Sequence, residues 1–187
     1  MQPRDPGGPL GRILSDIRRE FPTFEIRRKR DSALQRALAV ALAAVTLGGQ
    51  RSYLTHYHTV LFGKLYVPDA WDRMDELARY VLLRHERVHL RQRARMGDLA
   101  MGLVYLLPIL PVLLAWGRAR LEWEAYLETI RATAEVYGLD AARALEDEIV
   151  RRYVGPDYGW MWPFPAVIRR WFREAVADLE AGASARH

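Results

Sequence analysis

The residues best suited to chemistry are His85, Glu86 and His89, which form the pattern H-E-x-x-H. In an α-helix, residues four apart lie one turn apart on the same face, so the two imidazoles can bind one metal ion. A glutamate directly after the first histidine lies beside the open coordination position, where it can accept a proton from a metal-bound water. The pattern predicts a hydrolytic zinc site with Glu86 as general base. The competing interpretation is a helix with two ordinary histidines packed against the core.

A zinc site of this kind needs a third protein ligand. The metzincin arrangement is excluded, because it requires glycine at position 92 and histidine at position 95, where this chain has Gln92 and Arg95. The remaining candidates are glutamates in a later helical segment: Glu122, Glu124 and Glu128. At about 100° per residue, Glu122 falls at the edge of an apolar stripe, whereas Glu124 and Glu128 fall on the opposite face. Because a ligand must point inward, Glu122 is favoured, with Glu124 as the alternative.

These segments resemble the gluzincin metallopeptidases, which combine a helix bearing H-E-x-x-H with a later helix bearing E-x-x-A. The segments His85–His89 and Glu122–Ala125 match both parts, the match covers about residues 52–137, and the small minigluzincins are closest in size. The resemblance implies a zinc peptidase acting on a peptide or protein. It implies Glu86 as general base and three ligands to Zn2+: His85, His89 and Glu122. The acidic or amide residue that the family places four after the glutamate ligand is Tyr126 here.

The resemblance leaves the other parts of an active site open. In the family, the residue at the position of Tyr126 usually steadies a ligand histidine, and its hydroxyl could do so here. An oxyanion stabiliser is also needed, and three tyrosines are candidates: Tyr126, Tyr153 and Tyr158. Gluzincins hold an extended peptide on an exposed strand, and Gly63–Val67 is either that strand or one that only completes a small sheet. His56 and His58 alternate onto one face, which makes them weak candidates for a second metal site.

Apolar periodicity and turn residues predict an α+β fold, predominantly α-helical, with a zincin-like active-site helix preceded by a small β-hairpin. We expect the hairpin over 52–67, turning at Phe62–Lys64, and helices over 11–20, 32–48, 70–95, 99–107, 111–137, 140–152 and 166–180. Asp69 is the predicted N-cap of the active-site helix. A flexible arm (1–9), a single metallopeptidase-like domain (10–182) and a frayed tail (183–187) are predicted. The domain comprises a zincin core (52–137) and C-terminal helices with an aromatic loop (138–182).

Composition narrows the functional classes. The 187 residues include no cysteine, which excludes disulfides, thiolate metal sites and a cysteine nucleophile. The formal net charge of +5 permits nucleic acid or an anionic membrane as a partner. The densest basic runs, Arg27–Arg30 and Arg84–Arg95, are most simply solvated cationic faces. The alternative function is therefore a non-catalytic, zinc-stabilised or degenerate peptidase fold that binds protein or nucleic acid.

The uncharged segment Leu99–Trp116 lies between the two predicted zinc-binding segments. If it crossed a bilayer once, the ligands would lie on opposite sides of about 30 Å of hydrocarbon. The zinc hypothesis therefore predicts no transmembrane span, in agreement with the interruptions at Pro108 and Pro111. Peripheral or re-entrant membrane contact stays open. The N-terminus lacks the apolar region of a secretory signal, so we expect a cytoplasmic protein.

Overall fold

The computed structural model of the chain describes residues 7–32, 58–61, 63–106, 113–155 and 161–184. The fold is mainly helical with a small three-stranded sheet, which confirms the predicted α+β class. The chain divides into two compact units, 1–93 and 94–187, which are described separately. Because the division falls inside the helix Glu76–Met96, it does not by itself separate two domains, and the single domain over 10–182 stays a prediction.

Among the described residues, the first unit contains one complete helix, most of a second helix, and the three strands of the sheet. These are α1 (Gly8–Glu20), β1 (Glu25–Arg28), β2 (Thr59–Leu61), β3 (Lys64–Val67) and most of α2 (Glu76–Met96), with short 3-10 helices at Lys29–Asp31 and Asp69–Arg73. The first predicted helix is confirmed and begins a turn earlier than expected. The helix predicted over 32–48 lies outside the described residues from position 33 onward, as do residues 52–57 of the predicted hairpin.

The sheet has the strand order β1-β3-β2. β2 and β3 form the predicted antiparallel hairpin, with Gly63 at φ +73° in its turn, a conformation that favours glycine. β1 pairs with the other edge of β3 in parallel register, from Glu25 opposite Lys64 to Arg28 opposite Val67. Of the two interpretations of Gly63–Val67, the structure supports a strand that only completes a small sheet and not an exposed strand for substrate, because both edges of β3 are already paired. Three of the four residues of β1 are charged, so the apolar pattern that predicts strands was missing.

The start of α2 differs from the prediction. Residues 69–73 form a 3-10 helix that buries Trp71, and α2 begins only at Glu76. The side chain of Asp75 accepts a hydrogen bond from the backbone N–H of Ala78 at 2.8 Å. Asp75, and not Asp69, therefore satisfies one of the open N–H groups at the beginning of the active-site helix.

The second unit is built from helices. They are α3 (Asp98–Leu106), α4 (Leu113–Tyr137), α5 (Leu139–Arg143), α6 (Glu146–Val154) and α7 (Pro165–Ser184). Gly138, at φ +88°, ends α4 as predicted. The single helix predicted over 140–152 is two helices. α7 continues to Ser184, two residues into the predicted tail, and positions 185–187 lie outside the described residues. Pro108, Pro111 and positions 156–160 of the aromatic loop lie outside the described residues.

The core of the second unit is aromatic. α4 contributes Trp123, Tyr126 and Ile130, and it packs with residues of α6 and α7: Ile149, Val150, Tyr153, Ile168, Trp171, Phe172 and Val176. The apolar stripe predicted for α4 is confirmed except at its end, where Tyr137 is 46% exposed. Within the described part of the chain, the helices are all too short or too polar to cross a bilayer, as the zinc hypothesis requires.

Candidate metal centre

His85 and His89 lie one turn apart on α2, and their Nε2 atoms are 3.1 Å from each other. Two imidazole nitrogens bound to one tetrahedral zinc, each about 2.0–2.1 Å from the metal, are separated by about 3.3 Å. The observed separation is close to that value. The two rings are therefore oriented as a pair of ligands to one ion would be.

The orientation of His89 is fixed by Gln92, one turn further along the helix. The Nδ1 atom of His89 lies 2.9 Å from Oε1 of Gln92, and Gln92 is completely buried. Because an amide oxygen can only accept, a hydrogen bond in this contact requires the ring N–H to be on Nδ1, which leaves the lone pair of Nε2 available to bind a metal. Gln92 therefore lies where it could orient His89, the task that the family resemblance assigned to the position of Tyr126. The feature of the sequence that could have indicated this contact is the i, i+3 spacing of His89 and Gln92.

Replacing Gln92 by methionine should weaken zinc binding by about 10–100-fold, because the ring of His89 loses the partner that selects its tautomer. Competition against a chromogenic zinc chelator measures this affinity. Arg95→Gln is the matched control, since Arg95 lies three residues further along α2 with an exposed side chain. Equal affinity in the Gln92→Met variant and the wild type would show that Gln92 does not support the ligand.

Glu86, the predicted general base, is 6% exposed and shares the first unit with a buried lysine. Lys29 opens the 3-10 helix after β1 and is only 1% exposed. Burial lowers the pKa of Lys29 to about 7, and the negative charge of Glu86 acts in the opposite direction. The solvated face predicted for Arg27–Arg30 is therefore wrong at Lys29, and Arg28 pairs with Asp72. This burial could not be predicted from the residue types, because a lysine within a basic run is normally exposed.

The stability of the fold should depend on pH through Lys29. Its pKa falls from 10.5 to about 7 on folding, so between these values the unfolded chain binds more protons and stability rises with pH. The slope is at most about 1.4 kcal/mol per pH unit. Urea unfolding of the wild type and of Lys29→Met across this range measures it, with the wild type gaining stability relative to the variant as the pH rises. A difference that stays constant with pH would contradict the assignment.

Glu20, the last residue of α1, forms ion pairs with two arginines of α2 within the first unit. Its carboxylate accepts hydrogen bonds from Nε of Arg91 at 2.6 Å and Nε of Arg87 at 2.8 Å. The hydrogen bond from Arg91, followed by that from Arg87, holds the pKa of Glu20 below its usual value. We expected both arginines to face solvent, but each is in an ion pair. Arg87 lies between the two histidines in sequence, so this pairing helps to fix the rotation of α2.

Glu122 and Glu124 differ in burial as predicted, whereas the side chain of Glu128, which was expected on the same face as Glu124, is only 22% exposed. Glu122 is 3% exposed, whereas the side chain of Glu124 is 45% exposed and pairs with Arg95 at 3.1 Å. Glu128 lies 3.9 Å from Arg131, its ion-pair partner one turn along the helix. The inward orientation that favoured Glu122 over Glu124 is therefore confirmed.

The tyrosines proposed for oxyanion stabilisation have different surroundings. The hydroxyl of Tyr153 donates a hydrogen bond to the carbonyl oxygen of Ala119 at 3.2 Å, and Tyr153 is fully buried. This hydroxyl therefore already has a hydrogen-bond partner on α4. Tyr126 packs in the aromatic core, its ring 5.7 Å from that of Tyr153, and its catalytic role stays a prediction. Tyr158 lies outside the described residues. So does His56, the partner that His58 would need in a second metal site.

Among the described residues, His85, His89 and Glu122 form a group that could hold one metal ion. Each offers a ligand atom, and these atoms all lie within 4.8 Å of one another. The chemistry of the group, two imidazoles and one carboxylate, suits Zn2+. The chain matches no family model, no curated protein and no solved structure. The resemblance to gluzincins therefore depends on the two motifs and on the geometry of the residues that they contribute.

Proposed function

We propose that this protein is a zinc-dependent peptidase of the gluzincin type. One observation carries the proposal: the grouping of His85, His89 and Glu122 around a common point, with Glu86 next to the first ligand on the same helix. Structural zinc sites are usually closed by four protein ligands, whereas catalytic sites have three and leave a position for water or substrate. Within the described residues, no fourth histidine or carboxylate joins the group.

Each residue has a defined task in the proposed reaction. Nε2 of His85, Nε2 of His89 and the carboxylate of Glu122 would hold the ion. A zinc ion in such a site lowers the pKa of water to about 7 and polarises a carbonyl group. The carboxylate of Glu86 accepts a proton from the water that attacks the scissile carbonyl, and then donates it to the leaving amine nitrogen.

The alternative, a non-catalytic module that binds protein or nucleic acid, keeps the metal site but gives Glu86 no task. Its nucleic-acid version depends on arginines that are available for phosphates. In the first unit, several arginines are instead paired with carboxylates of the chain: Arg27 with Glu25, Arg28 with Asp72, and Arg87 and Arg91 with Glu20. The buried Glu86 and these pairings favour the peptidase.

Hydrolysis of fluorescein-labelled casein tests the proposed activity. The protein is stripped of metal with a chelator and then assayed before and after addition of one equivalent of zinc. We expect cleavage only after zinc is added, and its loss when chelator is added again. Zinc-loaded protein that binds the metal tightly but cleaves neither casein nor a mixed peptide library would overturn the proposal in favour of the binding module.

A further inference from the structure

The second unit exposes large apolar side chains on α3 and at the start of α4. Leu99 and Leu103 lie four residues apart on one face of α3 and are 79% and 48% exposed, and Trp116 on α4 is 39% exposed. A Cβ placed on Gly117 would lie 3.6 Å from Cγ1 of Val104, so the two helices meet beside Leu103 and Trp116. We call Leu99, Leu103 and Trp116 the apolar patch.

Aromatic rings continue the apolar patch. The ring of Trp116 lies 4.9 Å from Trp162 and 5.4 Å from Trp171, and Trp162 lies 5.2 Å from Phe164. Phe164 is itself 53% exposed. Tryptophan is enriched where proteins meet the boundary between lipid headgroups and acyl chains, because its ring is apolar and its N–H is polar. Leucines next to exposed tryptophan are therefore suited to shallow insertion into a bilayer.

The charge beside the apolar patch is positive. The guanidinium of Arg120 lies over the rings of Trp116 and Trp171, at 5.9 Å and 5.4 Å, and forms no ion pair with any carboxylate of the described residues. In the sequence, five arginines lie within eight residues of the uncharged segment Leu99–Trp116, at positions 91, 93, 95, 118 and 120, against three acidic residues at positions 98, 122 and 124. Arg91 and Arg95 are paired with Glu20 and Glu124, so Arg120 is the arginine that carries the argument. Basic residues at both ends of an apolar segment complement an anionic surface that it approaches from one side.

We propose that the apolar patch adsorbs to the surface of an anionic lipid bilayer, with Leu99, Leu103 and Trp116 among the acyl chains and Arg120 at the lipid phosphates. This goes beyond the proposed peptidase function and does not depend on the zinc site. It requires no helix to cross the membrane. It explains the concentration of exposed apolar side chains on α3 and the start of α4, together with an arginine that has no carboxylate partner in the described residues.

Sedimentation with lipid vesicles tests the proposal. Metal-free protein is mixed with vesicles of phosphatidylcholine and phosphatidylglycerol, or of phosphatidylcholine alone. We expect binding to the anionic vesicles that weakens with salt, accompanied by a blue shift of tryptophan emission. Leu99→Ser combined with Leu103→Ser should weaken binding by at least about 10-fold. Arg120→Gln should weaken it by about 5-fold.

Tyr137→Ser is the matched control, since Tyr137 is equally exposed but lies at the other end of α4, and it should bind as the wild type does. Circular dichroism establishes that each variant is folded, and Leu99→Ser alone provides a milder change if the double variant is not. Equal binding by the patch variants and the wild type, or no binding to either vesicle, would overturn the proposal. A wild-type dimer that Leu99→Lys converts to a monomer, without vesicle binding, would assign the apolar patch to a second copy of the chain.

Discussion

The Glu86→Gln variant should bind zinc as tightly as the wild type and lose hydrolysis by at least about 10²–10⁴-fold. The amide occupies the same volume as the carboxylate but cannot accept the proton from the attacking water. Glu86 is not among the three ligands in the proposed site, so the ion should remain. Zinc content by elemental analysis and casein hydrolysis measure the two properties on one preparation.

The Glu76→Gln variant is the matched control for this experiment, because it makes the same chemical change three turns earlier on α2. It should keep both zinc and hydrolysis. If Glu86→Gln retained full activity, Glu86 would not be the general base. If it lost zinc together with activity, the carboxylate would be needed for the metal site itself, and the assignment of ligands would be wrong.

The Glu122→Gln variant should bind zinc far more weakly than the wild type, whereas Glu124→Gln should bind it normally. An amide oxygen has no full negative charge to offer the ion, and the loss of a direct ligand should exceed the roughly 10–100-fold cost of losing an outer partner. The two glutamates lie two residues apart on α4, but one is buried and the other pairs with Arg95 at the surface. Chelator competition measures both affinities.

The result for the pair of variants also distinguishes between competing ligand sets. Weak binding in Glu124→Gln with normal binding in Glu122→Gln would move the third ligand to the exposed face of α4. Normal binding in both variants would leave His85 and His89 without a glutamate partner on this helix. Either outcome would contradict the proposed centre, whatever the protein hydrolyses.

The burial and spacing of the candidate metal ligands were the most predictable features, because they follow helical periodicity. The i, i+4 spacing places His85 and His89 on one face, and the same rule separates the buried Glu122 from the exposed Glu124. Gln92 lies three residues after His89, about one helical turn away. A glutamine at this spacing is not recognisable as the partner of a histidine from the sequence alone. Local geometry therefore predicts which side chains share a helix face or are buried, whereas the proximity of Glu122 to the two histidines is a tertiary contact.

Features that depend on tertiary contacts were not predictable. β1 is composed mostly of charged residues and forms a strand only because β3 offers it a free edge. The same pairing removes β3 as a strand for substrate. Lys29 is buried against the expectation for a basic run, since the 3-10 helix after β1 includes it in the core of the first unit. Neither the pairing of β1 with β3 nor the burial of Lys29 follows from a periodic pattern of residues in the sequence.

An anomalous difference map recorded at the zinc absorption edge, from crystals of protein loaded with one equivalent of zinc, tests the central claim most directly. We predict a single strong peak per chain, about 2.0–2.2 Å from Nε2 of His85, Nε2 of His89 and a carboxylate oxygen of Glu122. The absence of a peak between the two histidines, or a peak coordinated without Glu122, would contradict the proposed metal centre.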